Sequence, residues 1–570
     1  MAADRREPGE ELAGGDSGGR RLHAFRSLAG NRALLSVLAA YVMFILAEYA
    51  AWIAMLVYAY SRGGAAIAGL VAVAQLVPAA VVAPLAASLA DRRAPVFLLA
   101  GGYVTQAAAM AGTAAAIIAG APLAAYAAAV VASTAVTTTR PAQSVVIPSV
   151  AAIPDQLTAA NVVAGWLEAA GAAAAGLLAG VLISLAGVGS VFVVCAGLGL
   201  VAGLLVAGLR VAALAPTEED GPAAMAGVGE GLRLAAGQPR LRLMLALLTA
   251  DAVVVGALDL LVVILAISVL GRSQAWAGYL AFAFGVGAML AATGSAVLVG
   301  RRLGGPILAA ALLFSGALAA VAFGVGLAGT VALLALAGAG HSLLAIATRT
   351  LLQRSVPAQL IGRVFGLLEG AMMAGLALGA LLVPALVHLG GSRLAVLGAA
   401  AVLPLAVVAG GRALFGLDAE TPVPVVEIAL LRSLPLFAEL PAPAIEGLAA
   451  ALRPIQLRAG AVLIRQGDPG DAYYAIAAGE LDAVQDGKLL RRCGRGEGVG
   501  EIALLRAIPR TATVIAHTDA TVYELDREPF LTAVLGHVPT LRQADHIADT
   551  RLATGGQSGN RDSSEAGTAG

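Results

Sequence analysis

The chain has 570 residues, of which 59% are hydrophobic and 13% are charged, and its formal net charge at pH 7 is zero. A soluble protein has about 45–50% apolar and about 25% charged residues, so this composition excludes an ordinary soluble protein and predicts a membrane protein. The zero net charge argues against a polyanion-binding protein, and only two cysteines, Cys195 and Cys493, argue against a disulfide framework.

Residues 1–32 are rich in Arg, Gly and acidic residues and have no apolar periodicity, which predicts a disordered tail. Residues 33–415 are predicted to form an all-α polytopic membrane domain, because a membrane span needs roughly 20 mostly apolar residues. Twelve runs meet that requirement, at 35–60, 64–89, 96–120, 122–147, 159–186, 189–212, 242–270, 275–300, 306–326, 329–352, 362–387 and 393–414.

Basic residues are concentrated in alternate loops of this domain. One set of loops has only Arg62, Arg272 and Arg393, whereas the other set has thirteen arginines, including Arg92 and Arg301. The positive-inside rule places the arginine-rich loops, and with them both termini, in the cytoplasm. The loop 213–241 is then cytoplasmic and divides the domain into halves 33–212 and 242–415.

The two halves share short basic segments at a constant offset of 209 residues. Arg92 and Arg93 correspond to Arg301 and Arg302, and "TRPAQSVVIP" with Arg140 corresponds to "TRTLLQRSVP" with Arg349. Two six-helix halves related by a parallel repeat are typical of transporters, in which the substrate site lies near the midplane between the halves.

These segments resemble the major facilitator superfamily. The stretch "ASLADRRAP" is similar to the loop motif between helices two and three of that family, although an Ala replaces its leading Gly. The stretch "RPAQSVVIPSVAAIPDQLTAANVV" resembles the branch that includes siderophore and drug exporters. The resemblance implies a secondary transporter of small molecules in the cell membrane. A cytoplasmic gate network is expected to include Asp91, Arg92, Arg140 and Arg349.

Four ionisable residues lie well inside predicted spans: Glu48, Asp251, Asp259 and His341. Ionisable groups in lipid are costly, so each one is a candidate for substrate binding or proton coupling. The resemblance implies the same location, because helices one, seven and ten line the central cavity of the superfamily. The alternative for His341 is a packing role. Glu168 and Glu369, closer to helix ends, are more typical of structural pairing with an Arg or a helix terminus.

The composition changes after Arg412. "GLDAETPVPVVE" predicts a linker at 416–426, and residues 427–552 read as a helical pair, then short Gly-separated strands, then a helix. Short strands of this kind indicate a β-roll or jelly roll. Residues 553–570 are polar and predict a second disordered tail.

Residues 427–552 resemble the cyclic nucleotide-binding domain. The resemblance rests on Gly460, Gly479, "IRQGDPGD" and above all "GEIALLRAIPRTATV" at 500–514, although Val499 replaces the usual Phe. It implies that Gly500, Glu501, Ile502 and Ala503 hold the ribose and phosphate, while Arg510 and Thr511 clamp the phosphate. The chemistry agrees, since a guanidinium matches phosphate oxygens and a carboxylate accepts from a ribose hydroxyl. Thr511 is also within reach of a guanine base, so both cAMP and cGMP stay open.

No nucleic-acid partner is expected, because a polar tail follows Arg551 where related transcription factors have a helix-turn-helix. The sequence has no metal-ligand cluster and no signature of an enzyme, so no cofactor is expected beyond the regulatory nucleotide. Two functions fit these features. One is a proton-coupled exporter regulated by a cyclic nucleotide. The alternative is a membrane-anchored nucleotide sensor that does not transport.

Overall fold

The computed structural model describes residues 31–90, 95–150, 154–209, 237–294, 302–355, 361–420, 425–438, 442–506 and 508–535, with single positions at 440, 540, 543 and 547. They form two compact units, a helical membrane domain up to residue 420 and a C-terminal domain from residue 425.

The membrane domain is all α-helical over its described residues. Its helices are α1 (Arg32–Ala90), α2 (Pro95–Ile118), α3 (Pro122–Val150), α4 (Pro154–Ala186), α5 (Val188–Ala207), α6 (Pro239–Ile264), α7 (Ala275–Gly294), α8 (Gly304–Val321), α9 (Gly326–Ser355) and α10 (Ile361–Glu420). A π-helical turn, Leu265–Val269, continues α6.

Two of these helices contain a sharp break. The backbone of α1 leaves helical geometry at Gly63 and Gly64, and that of α10 does so at Gly390 and Gly391, so each comprises two segments. By length and hydropathy, nine helices among the described residues can cross a membrane, including the broken ones at 48 and 44 residues. The polytopic helical class is confirmed, while the count of twelve spans stays a prediction.

The two halves pack through small residues. On α4, a Cβ added to Gly176 would lie 2.7 Å from the main-chain nitrogen of Phe282 on α7. On α1, a Cβ added to Gly69 would lie 2.6 Å from the Pro384 ring on α10. Small residues allow this close backbone approach, which supplies the packing between helices in lipid.

Over its described residues, the C-terminal domain has four helices and eight strands. The elements are α11 (Val425–Ser433), α12 (Ala442–Ala451), β1 (Arg453–Leu457), β2 (Val462–Ile464), β3 (Ala472–Ala478), β4 (Leu481–Gln485), β5 (Lys488–Cys493), β6 (Gly498–Val499), α13 (Glu501–Arg506), β7 (Thr513–Ala516), β8 (Ala520–Asp526) and α14 (Arg527–Leu535).

The strands form two four-stranded antiparallel sheets, in the orders β1-β8-β3-β6 and β2-β7-β4-β5. In the first sheet, Tyr474 pairs with both Glu524 and Val499, which places β3 at the centre. The predicted β-roll with flanking helices is therefore confirmed. The helix α10 continues to Glu420, five residues into the predicted linker 416–426.

Three aromatic rings join the helices to the roll. Phe437, in the turn after α11, contacts Tyr473 on β3 and Phe530 on α14, with ring centroids 5.5 and 6.1 Å away. Tyr473 and Phe530 stack at 5.0 Å. These rings lie in a core with Leu431 and Leu525, both fully buried. The helices that precede and follow the roll in the chain thus share one core with it.

Candidate functional site

The segment "GEIALLRAIPR" folds as a short helix and a loop between β6 and β7. Gly500 precedes α13 with φ +97°, a backbone conformation that favours glycine. A Cβ at this position would also lie 2.6 Å from Nη1 of Arg510. Glycine is therefore required here both for the turn and for the space that the arginine occupies.

Arg510 is only 5% exposed, although it carries a charge. Its Nη1 donates to the carbonyl of Gly500 at 3.0 Å, and its Nη2 donates to the carbonyl of Ala472 at 2.8 Å and to Oδ1 of Asp471 at 3.1 Å. The Asp471 side chain is 83% exposed. These acceptors hold the guanidinium in a fixed orientation at the edge of the roll.

The main chain fixes Arg510 as well. The N–H of Gly467 donates to the Arg510 carbonyl at 2.9 Å, and the Arg510 N–H donates to the Asp468 carbonyl at 2.8 Å. A guanidinium has five N–H donors, of which three are used above. Among the described residues, Nε and one Nη1 hydrogen have no acceptor. Arg510 is thus positioned with two donors left for an anion.

Tyr474 lies beside this arginine, with the Arg510 guanidinium carbon 5.9 Å from its ring centroid. Its hydroxyl donates to Glu524 at 3.2 Å. Burial, followed by the charge of Glu524, raises the pKa of Tyr474 to about 12. The phenol beside Arg510 is therefore even harder to ionise than an ordinary tyrosine.

The other predicted nucleotide residues are close by in the chain and differ in burial. Glu501 is 2% exposed at the start of α13, Ala503 is buried against Gly470, and Ile502 and Thr511 are half-buried. Glu501 lines a cavity of about 360 Å³. Its other lining residues include Leu434, Pro435, Leu436, Tyr473, Arg491, Glu497, Gly498, Gln543 and Ile547.

In the first half of the membrane domain, one arginine binds two carboxylates. Arg140 on α3 donates from Nη2 to both oxygens of Glu48 on α1, at 2.9 and 3.1 Å. Its Nη1 donates to Glu168 on α4 at 3.2 Å. Arg140, predicted as a gate residue, thus pairs directly with the predicted coupling residue Glu48. It also pairs with Glu168, for which the sequence predicts pairing with an arginine or a helix terminus.

The second half repeats part of this arrangement. Arg349 on α9 lies 3.9 Å from Glu369 on α10, so both repeat-related arginines face a carboxylate on the following helix. Asp251 on α6 is 2% exposed and lies 3.0 Å from Nδ1 of His341 on α9. Asp91 and Arg92 lie outside the described residues.

Two contacts that the sequence does not reveal connect the halves. Nε1 of Trp52 on α1 donates to Oδ2 of Asp259 on α6 at 3.0 Å. The hydroxyls of Tyr60 on α1 and of Ser268 on the π-helical turn that continues α6 lie 2.6 Å apart. In the sequence, Trp52 lies one helical turn after Glu48 and on the same helical face, which marks it as a neighbour of a candidate site residue but does not identify Asp259 as its partner. Asp259 therefore lies at the interface between the halves.

The chain has a helical membrane domain of two halves with charged residues on its helices, and a β-roll with a buried arginine. These features are typical of a transporter-like protein with a ligand-binding domain. The Major Facilitator Superfamily model matches residues 37–368, more than half of the chain, and the chain therefore belongs to that superfamily. The model of the cyclic nucleotide-binding domain matches residues 454–537. Residues in and around this range thus form such a domain.

Curated relatives match a small part of the chain. A cAMP-dependent protein kinase regulatory subunit from Aspergillus niger is 38% identical over 121 residues, covering 21% of this chain and 29% of the relative. The acetyltransferase Pat of Mycolicibacterium smegmatis is 40% identical over 133 residues, covering 22% of this chain and 39% of the relative. The chain therefore spans well under half the length of these relatives.

Among solved structures, the regulatory domain of Toxoplasma gondii PKA in a co-crystal with cAMP is similar. It is 31% identical, and the match covers 19% of this chain and 44% of that chain with a TM-score of 0.19.

Proposed function

We propose that this protein is a proton-coupled exporter of small molecules whose activity is regulated by cAMP or cGMP bound to its C-terminal domain. The superfamily membership gives the transporter class, and the nucleotide-binding domain gives the class of regulatory ligand. The observation that carries the regulatory part of the proposal is Arg510, a buried guanidinium that donates to the Gly500 carbonyl and has two further donors without an acceptor among the described residues.

In the proposed site, the free donors of Arg510 bind the phosphate and Glu501 accepts from the ribose 2′-hydroxyl. The side chain of Thr511 follows the arginine directly and contacts either the phosphate or a guanine base. A nucleotide regulates transport only if its affinity differs between two states of the transporter. At saturation, the nucleotide changes the equilibrium constant between those states by the ratio of its two dissociation constants.

Glu48, Asp251, Asp259 and His341 are the proposed coupling and substrate residues, because each is an ionisable group inside the membrane domain. Asp91, Arg92, Arg140 and Arg349 remain the proposed cytoplasmic gate. We place the protein in the cell membrane with both termini in the cytoplasm, where cyclic nucleotides are made. It acts on a small-molecule substrate within the lipid bilayer, without a nucleic-acid partner and without enzymatic activity.

One observation favours the alternative, a membrane-anchored nucleotide sensor without transport. Arg140 holds both oxygens of Glu48, an arrangement that also serves to hold helices together. Reconstitution separates the two functions. Purified full-length protein in liposomes containing a pH-sensitive dye is tested with a panel of small solutes, with and without cAMP and cGMP. Solute-dependent proton flux that changes with nucleotide supports the regulated transporter, and nucleotide binding without any flux supports the sensor.

A further inference from the structure

Five carboxylates lie on the membrane helices among the residues whose side chains the structure describes. Three basic side chains, those of Arg140, Arg349 and His341, lie within 4 Å of one or more of them. The carboxylates are those of Glu48, Glu168, Asp251, Asp259 and Glu369. A carboxylate in a low-dielectric region needs a partner that compensates its charge. A carboxylate without such a partner is therefore a candidate to bind a cationic ligand.

Four of the five carboxylates have a basic partner. Arg140 binds Glu48 and Glu168, Arg349 lies 3.9 Å from Glu369, and His341 lies 3.0 Å from Asp251. Asp259 differs from them. Within the described residues, no Arg, Lys or His nitrogen lies within 4 Å of its carboxylate, and its donor is the uncharged indole of Trp52.

The position of Asp259 agrees with a ligand site. It is half-buried on α6 and reaches across to half-buried Trp52 on α1, so it lies between the two halves. Transporters built from two repeats bind substrate at this interface. The two side chains are also complementary in chemistry, because a carboxylate attracts a cation by charge and an indole ring attracts it through its π system.

We propose that Asp259 and Trp52 form a binding subsite for a monovalent organic cation, and that the transported substrate is of this class. The proposal rests on the proposed transport function. The Asp259 carboxylate compensates the substrate charge, and the Trp52 indole contacts the cation while its N–H keeps the ring beside the carboxylate.

Binding of tetraphenylphosphonium to the full-length protein in lipid nanodiscs tests this subsite. Radiolabelled ligand is measured against protein-free nanodiscs, and tetraphenylborate serves as an anion of nearly the same shape. We expect saturable binding of the cation and none of the anion. Asp259→Asn should weaken cation binding by about tenfold or more, because it removes the opposite charge. Asp259→Glu, which keeps that charge, should retain most of the affinity.

Trp52→Leu should weaken binding between about twofold and thirtyfold, the range of a cation–π contact, and Trp52→Phe should recover part of the loss. Glu369→Gln is the matched control, since it neutralises another membrane carboxylate that already lies near Arg349. It should leave the affinity unchanged. Each variant is first checked for an unchanged elution profile and melting temperature.

Two results overturn the subsite: wild-type protein that binds no more cation than protein-free nanodiscs, or Asp259→Asn that binds as tightly as wild type. Neither result refutes the proposed function, which is tested separately by measuring proton flux with other solutes, and its response to nucleotide, on the same protein. Flux without cation binding refutes the substrate class, whereas absence of flux with every solute refutes transport.

Discussion

Replacing Arg510 by alanine removes a buried guanidinium that we propose binds the nucleotide phosphate. The side chain is 5% exposed and donates to Gly500, Ala472 and Asp471, so its orientation is fixed before a ligand arrives. Loss of one partner of a buried, hydrogen-bonded charge pair typically costs about 2–5 kcal/mol of binding free energy. Since 1.4 kcal/mol is a factor of about ten, affinity should fall at least about thirtyfold.

The same substitution affects stability. It leaves the carbonyls of Gly500 and Ala472 without their arginine donor, and an unsatisfied buried group costs about 1–3 kcal/mol. The melting temperature of the C-terminal domain is therefore measured together with binding, so that unfolding is not mistaken for loss of the site. Arg510→Lys keeps the charge without the planar fork, and its affinity should lie between those of wild type and Arg510→Ala.

Calorimetric titration of the full-length protein with cAMP and cGMP measures the affinity. Arg492→Ala is the matched control, because Arg492 is an exposed arginine of the same domain, paired with Asp482 on the neighbouring strand at 2.7 Å. It should bind nucleotide as wild type does. An Arg510→Ala protein that is folded and binds within twofold of wild type would refute the assignment of the phosphate to Arg510.

Further predictions concern both domains. Gly500→Ala should destabilise the C-terminal domain by about 1–2 kcal/mol and weaken nucleotide binding, because φ is +97° and the new Cβ would meet Arg510. Thermal denaturation measures the stability and titration measures the binding, and an unchanged melting temperature would contradict the prediction. Thr511→Ala should lower affinity for cGMP several-fold more than for cAMP if the hydroxyl contacts guanine; equal losses for the two nucleotides would assign it to the phosphate. Glu48→Gln should reduce coupled proton flux in proteoliposomes while the protein stays folded, and unchanged flux would leave Glu48 as a structural partner of Arg140.

The sequence predicts much of this architecture because its signals are local. Glycines at 500 and 479 mark turns that need positive φ, and Glu501 and Arg510 are nine positions apart in one continuous segment. Hydrophobic runs of span length likewise predict helices directly. Pro422 and Pro424 also indicate a domain boundary in the sequence, although α10 reaches Glu420 and so runs five residues into the predicted linker 416–426.

Contacts between distant segments could not be predicted in this way. Arg140 and Glu48 are 92 residues apart, and Trp52 and Asp259 are 207 residues apart. Spacing along one helix gives the face of a residue, but it does not show which other helix packs against that face. The sequence places Arg140 near a loop and so predicts a gate residue, whereas the structure pairs it with Glu48. Among the described residues, Asp259 differs from the other membrane carboxylates in having no basic nitrogen within 4 Å, and this difference depends on contacts between distant segments.

Nucleotide-dependent flux through wild-type and Arg510→Ala protein in proteoliposomes tests the central claim most directly. We expect saturating cAMP or cGMP to change the flux of wild type, and the same concentration to leave the flux of a folded Arg510→Ala variant unchanged. Wild-type protein that binds nucleotide and transports at the same rate with and without it would contradict the account, because the domain would then bind its ligand without regulating the transporter.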